Sequence, residues 1–285
     1  PATIDRELGW AAGIGMNTAR VYLHDLAWTG DPSGFRKRID EFLRIAGKHG
    51  IRPIFVFFDD CWLEDPKPGR QPAPKPGVHN SGWLQSPGRK AADDQSGWPR
   101  LEKYVKDVLK SFCKDSRILM WDLYNEPGNS KRDEKSLPLL KEVFGWAREV
   151  ATDQPLTSGV WAENKPIKEF QIANSDVITF HHYDVAEDLI RQIADLKIHG
   201  RPLVCTEWLL RGKSDVATHL PIFHRERVGC LNWGLVAGKT QTIFPWGSPE
   251  GAPEPKLWFH DLLKKDGTPF SEKETDLFRI VTGAR

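Results

Sequence analysis

RILMWDLYNEP, residues 117–127, is the stretch from which the rest of the chain can be read. An apolar run through Ile118, Leu119, Met120, Trp121 and Leu123 stops on an amide, an acid and a proline. The run predicts a buried strand over 117–124. A strand that only fills a core has no use for a carboxylate at its tip, and Pro127 keeps the chain from running straight on into a helix. Glu126 is thereby presented at a strand end.

The same unit recurs on both sides. TARVYL (18–23) and PIFVFF (53–58) precede it as strands, and PLTSGVW (155–161), DVITFH (176–181), PLVCTE (202–207) and VGCLNWG (228–234) follow. Helical segments separate them. Asp31-Pro32 opens one with Phe35, Ile39, Phe42, Leu43 and Ala46 on a single face, and Gly50 ends it. Pro99 opens another, and Ser271 to Glu274 reads as a capping box before the last helix. Seven βα units in one unbroken series predict an α/β fold of the (β/α)8 TIM-barrel class rather than a doubly wound sheet. Residues 1–285 are expected to form a single catalytic barrel domain. Residues 3–12 read as a helix ahead of the first visible strand, so the absent unit is expected to be strand one, upstream of Pro1.

Composition narrows the function. The 285 residues carry a net charge of +1, so no nucleic-acid or membrane partner is expected. No apolar run approaches the roughly 20 residues that span a bilayer. The four cysteines are scattered, without a CxxC pair, and are expected to be free thiols. Twelve tryptophans are the unusual feature, and several fall in Pro/Gly-rich loops, where a flat apolar face can meet a ligand. The segment 59–98 holds Trp62, Trp83 and Trp98 in such a loop and is expected at the mouth of the barrel. Trp161, Trp208 and Trp246 are further candidates for binding positions.

In a barrel the active site lies where strands end. The strand ends here carry Arg20 and His24, Asp59 and Asp60, Asn125 and Glu126, His181-His182-Tyr183, Glu207, and Trp233. Glu126 and Glu207 are far apart in sequence, yet a barrel brings both to one rim. Paired carboxylates suit glycosidic bond cleavage, one protonating the leaving oxygen while the other attacks the sugar.

Asn125-Glu126-Pro127 resembles the Asn-Glu-Pro signature on the fourth strand of clan A glycoside hydrolases, and Glu207 in VCTEW is similar to the seventh-strand nucleophile of that clan. The likeness is closest to family 5, the cellulase and mannanase family. It implies Glu126 as general acid/base and Glu207 as nucleophile, with Arg20 keeping the nucleophile ionised. It further implies Asn125 on the sugar 2-hydroxyl, His181-x-Tyr183 beside the nucleophile and Trp233 under the sugar being cleaved. The family commonly has a histidine on its third strand where this chain has Asp59-Asp60, so His24 or Asp60 is expected to take that place.

The expectation is a retaining hydrolase of a β-glucan, mannan or xylan type of substrate, without cofactor or metal. It is expected to be secreted or periplasmic, and a monomer or weak oligomer. Two rivals stand beside it: a carbohydrate-binding barrel without catalysis, and a metallohydrolase built on His24, Asp59, Asp60, His181 and His182.

Overall fold

The structure, a computed structural model, describes residues 1–284. Its strands are β1 (Thr18–Tyr22), β2 (Arg52–Asp59), β3 (Met120–Asn125), β4 (Leu156–Thr157), β5 (Ile178–His181), β6 (Leu203–Glu207) and β7 (Gly229–Cys230). Helices α1 (Ala2–Gly13), α2 (Asp25–Gly30), α3 (Pro32–Lys48), α4 (Arg89–Asp93), α5 (Trp98–Phe112), α6 (Leu137–Arg148), α7 (Lys165–Asn174), α8 (Ala186–Lys197), α9 (Val216–Glu226) and α10 (Glu272–Thr282) accompany them.

Every strand pairing is parallel, in the order β1-β2-β3-β4 and β5-β6-β7. A single parallel bridge from Val160 to Phe180 joins the two groups. β4 is short because Ser158 leaves the ladder: its amide donates to Ser175 Oγ and its hydroxyl to the Tyr124 carbonyl. Strands succeeding one another in parallel, with helices between, make a barrel of the (β/α)8 class. Among the described residues nothing pairs with the free edges of β1 and β7. A cavity of about 580 Å³, lined by Ala19, Cys230, Asn232, Leu8 and Phe278, lies along that seam.

Helix amphipathicity builds the outer layer. In α5, Leu101, Tyr104, Val105, Val108, Leu109 and Phe112 are all buried, at the three- and four-residue spacing that puts them on one face. They pack with Phe55, Phe57 and Trp121 from the sheet. Inside the barrel the layer is Ile54, Met120 and Leu231. Asp31 caps α3, its Oδ1 accepting the Gly34 amide at 2.8 Å. The capping box expected at Ser271 does not form: Ser271 makes no side-chain cap bond, and Glu274 pairs instead with Arg211 at 2.7 Å.

The 59–98 loop is folded against the barrel mouth. It pairs back on β2 through the Asp59–Ser86 bridge and on itself through Leu63–Leu84. Further along, the Asn80 amide donates to the Thr240 carbonyl and the Gly77 amide to Gln241. All four cysteines are free thiols.

Candidate active site

The ends of the strands open into a cavity of about 1050 Å³, lined among others by Asp59, Asn125, Glu126, His181, Tyr183 and Glu207. Arg20 organises its floor. Nε and Nη2 donate to Asp122 Oδ2 at 3.1 and 2.5 Å, and Nη2 also to Asn125 Oδ1 at 2.7 Å. Nη1 donates to the Tyr22 hydroxyl and to Glu207 Oε1, both at 2.7 Å. Arginine suits this place because its planar fork serves several acceptors at once and stays charged when buried. Removing one partner of such a buried pair costs about 3–5 kcal/mol, so Arg20 is part of the scaffold as well as of the site.

Glu207 ends β6 and receives three donors. Oε1 accepts from Arg20 and from the Tyr22 hydroxyl at 3.1 Å, and Oε2 accepts from the Tyr183 hydroxyl at 2.9 Å. Glu126 follows the last residue of β3 and holds φ at +44°, in the left-handed region that a non-glycine residue occupies at a cost. Its surroundings are uncharged donors: Oε2 accepts from the Cys61 thiol at 3.1 Å and the Asn129 amide at 2.5 Å. Oε1 lies 2.7 Å from His181 Nδ1.

His181 stands between the two acids, its Nδ1 also 3.5 Å from Glu207 Oε2. Burial pushes its pKa down to about 4, so the ring is neutral at neutral pH. Nδ1 faces two carboxylates while buried Nε2 has no partner. The single ring proton therefore belongs on Nδ1. A methyl group at Gly159 would sit 3.3 Å from Nε2, so glycine there leaves the ring its place. The donor atoms of Glu126, His181 and Glu207 lie within 4.8 Å of one another. Among the described residues these three are the group close enough to share a metal ion. The rim of His24, Asp59, Asp60, His181 and His182 weighed from sequence does not converge.

Burial raises the pKa of both glutamates. For Glu126 burial is the main cause, opposed by the Cys61 and Asn129 donors and by Arg20. Desolvation, more than the charge of nearby Glu207, lifts the Glu126 pKa. For Glu207, burial and the Glu126 charge act upward against His181, Arg20 and Tyr183. With a guanidinium in contact with Glu207 and only neutral donors on Glu126, the first proton taken up by the pair goes to Glu126.

Arg20, Asn125, Glu126, His181, Tyr183 and Glu207 meet around this point, and Trp62 and Trp233 stand on the cavity wall. Trp62 is 39% exposed and tilts over His79 at 5.4 Å. Three expected residues are elsewhere. Trp208 is fully buried and stacks on His219, because it follows inward-facing Glu207 on a strand and so points to the opposite side. His24 caps α2, its Nδ1 accepting the Leu26 amide at 3.2 Å, and pairs with Asp25. Asp60 lies behind the wall, where Tyr124, the Gly128 amide, Ser136 and Arg132 bind it. Phe57 and Phe58 both enter the outer core, so strand alternation slips and Asp59, not Asp60, faces the cavity.

Tyr22, Cys61 and Asn129 join the site without having been expected from the sequence. Tyr22 had a signal: it lies two residues after Arg20 on one strand, hence on the same face. Cys61 and Asn129 sit in loops and had none.

No protein-family model matches the sequence, and no curated protein is similar to it. Solved structures are similar. A β-glucosidase superposes over 99% of this chain and 88% of its own, at TM-score 0.66 and 12% identity. The endo-β-1,4-mannanase of Thermotoga petrophila covers 98% of this chain and 72% of its own, at TM-score 0.65 and 15% identity. A GH5_18 protein from Streptomyces cattleya, in complex with Manβ1-4GlcNAc, covers 100% and 75%, at TM-score 0.66 and 11% identity. The fold is that of the glycoside hydrolase barrels. At identities this low the likeness establishes a TIM-barrel architecture alone, and the chemistry has to be argued from the side chains of this chain.

Proposed function

We propose that the chain is a retaining glycoside hydrolase that cleaves β-glycosidic bonds in a polysaccharide or its oligosaccharides by double displacement. The observation that carries this reading is the pair Glu126 and Glu207, with one oxygen of each within 4.8 Å of the other and with unlike partners. Retaining enzymes hold their carboxyls about 5–5.5 Å apart, while inverting ones leave room for a water at about 6.5–9.5 Å.

In the first step the Glu207 carboxylate attacks the anomeric carbon and the bond to the leaving oxygen breaks. Glu126 gives its proton to that oxygen. Glu207 becomes an ester and loses its charge, so the repulsion that it exerts on Glu126 disappears. Glu126, now ionised, takes a proton from water, the water oxygen bonds to the anomeric carbon, and the ester breaks. Both glutamates return to their first states. Arg20, Tyr22 and Tyr183 orient the attacking carboxylate before substrate arrives, so its geometry costs no reorganisation at the moment of reaction.

The structural relatives named above include a β-glucosidase and a β-1,4-mannanase, which supports β-glucoside and β-mannoside classes first. The wall of Trp62, Trp83, Trp161, Trp233 and Trp246 supports a sugar face as the ligand. A panel of p-nitrophenyl β-glucoside, β-mannoside and β-xyloside, with the matching polysaccharides, tests the reading. The expected result is hydrolysis of at least one, the β-anomer appearing first by proton NMR. Folded protein that binds oligosaccharide and hydrolyses none overturns the enzymatic reading in favour of a binding barrel. An α-anomer appearing first overturns the mechanism.

A further inference from the structure

Asp59, at the tip of β2, is 3% exposed, and three pieces of chain close on its carboxyl. Oδ1 accepts the Asn125 side-chain amide and the Cys61 backbone amide, each at 2.9 Å. Oδ2 accepts the Trp83 indole N–H at 2.6 Å. The Asp59 backbone also exchanges two hydrogen bonds with Ser86, at 2.7 and 3.2 Å.

These partners have different work. Asn125 is held from both ends, its nitrogen by Asp59 and its oxygen by Arg20, so a flip of the amide would set oxygen against oxygen and nitrogen against guanidinium. Trp83 stands on the cavity wall edge-on to Tyr22 at 4.8 Å and Trp233 at 5.4 Å. Trp83 comes from the long loop and Asn125 from β3, and Asp59 is the carboxylate they share.

We infer that Asp59 is a positioning residue that sets the sugar-binding wall, fixing Trp83 and Asn125 together and so coupling the 59–98 loop to the catalytic floor. This inference rests on the glycosidase reading above. It also makes the wall sensitive to pH. Burial pushes Asp59 up to about 6 against its three donors. The titratable groups facing it are the Tyr22 hydroxyl from β1 and the Cys61 thiol from the loop, both raised by burial and neutral, with Arg20 beyond Asn125 and Glu126 beyond Cys61. Above about pH 6 the carboxylate accepts all three donors. As pH falls through that value it takes a proton, an accepting position is lost, and the hold on Trp83 weakens.

The test has one arm that needs no activity. In protein labelled with 15N-tryptophan, the indole N–H peak missing from Trp83→Phe belongs to Trp83. That peak is expected to move with a single midpoint near pH 6 and to be pH-independent in Asp59→Asn. The kinetic arm uses the best substrate of the panel: Asp59→Asn is expected to raise KM about tenfold, the loss of a hydrogen bond to a charged group, with kcat falling by less. In the parent, KM is expected to rise as pH falls below 6, and in the variant to be flat. A Trp83 peak that does not titrate between pH 5 and 8 overturns the inference, as does a variant whose loss lies in kcat with KM unmoved. Should the parent hydrolyse nothing, the glycosidase reading fails on its own assay while the NMR arm still decides whether Asp59 holds Trp83.

Discussion

The tips of β3 and β6 each deliver a glutamate to one cavity, and they treat it differently. Glu207 meets a guanidinium and two phenol hydroxyls, all drawn from strands or strand ends. Glu126 meets a thiol, an amide and a neutral imidazole, the first two from loops, on a backbone in the left-handed region. Burial lifts both acids alike, so burial cannot tell them apart. The partners do, because a cation favours the ionised form far more than neutral donors can. Under the proposed mechanism these unlike surroundings suit two identical residues to opposite tasks.

Exchanging each acid for alanine gives the strongest test of that difference. Glu207→Ala is expected to lose roughly 10⁴–10⁶ in kcat, as when a nucleophile is removed. Azide is expected to restore part of the rate and yield an α-glycosyl azide. Glu126→Ala is expected to lose about 10²–10⁴ on substrates with poor leaving groups. It should lose far less in glycosylation by dinitrophenyl glycosides, and azide is expected to yield the β-glycosyl azide. The configuration of the azide, read by NMR, separates the two roles; the same configuration from both variants would erase the contrast.

A milder pair of substitutions touches the partners rather than the acids. Tyr183→Phe removes a donor to ionised Glu207. The rate is expected to fall roughly 10–100-fold, the worth of a hydrogen bond to a charged group, and the acid limb of kcat/KM to move to higher pH. Cys61→Ala removes a donor to ionised Glu126. Its proton is then held more firmly, so the alkaline limb is expected to move to higher pH with the smallest loss of rate in the series. A pH profile in which either variant shifts the other's limb would reverse the assignment.

Much of this arrangement was legible in the chain. Parallel strands in succession leave their C-terminal ends on one rim, so Arg20, Asn125, Glu126, His181, Tyr183 and Glu207 could be gathered without coordinates. Counting strands also marked the seam where, among the described residues, the outer edges of β1 and β7 meet no partner strand. What escaped was local phase. Trp208 was offered as a binding residue although its neighbour Glu207 had already claimed the inward face. Asp60 was preferred to Asp59 because nothing in FVFFDD reveals that two successive phenylalanines go outward. Asn129 and Cys61 reach Glu126 from turns, where residue type carries no period to read.

Trapping the glycosyl-enzyme identifies the nucleophile. The protein is incubated with 2,4-dinitrophenyl 2-deoxy-2-fluoro-β-glucoside and the corresponding mannoside, then digested and mapped by mass spectrometry. One fluorosugar per chain, esterified to Glu207, is expected. An adduct on Glu126, or an active protein that turns over these reagents with no covalent adduct at all, would contradict that assignment.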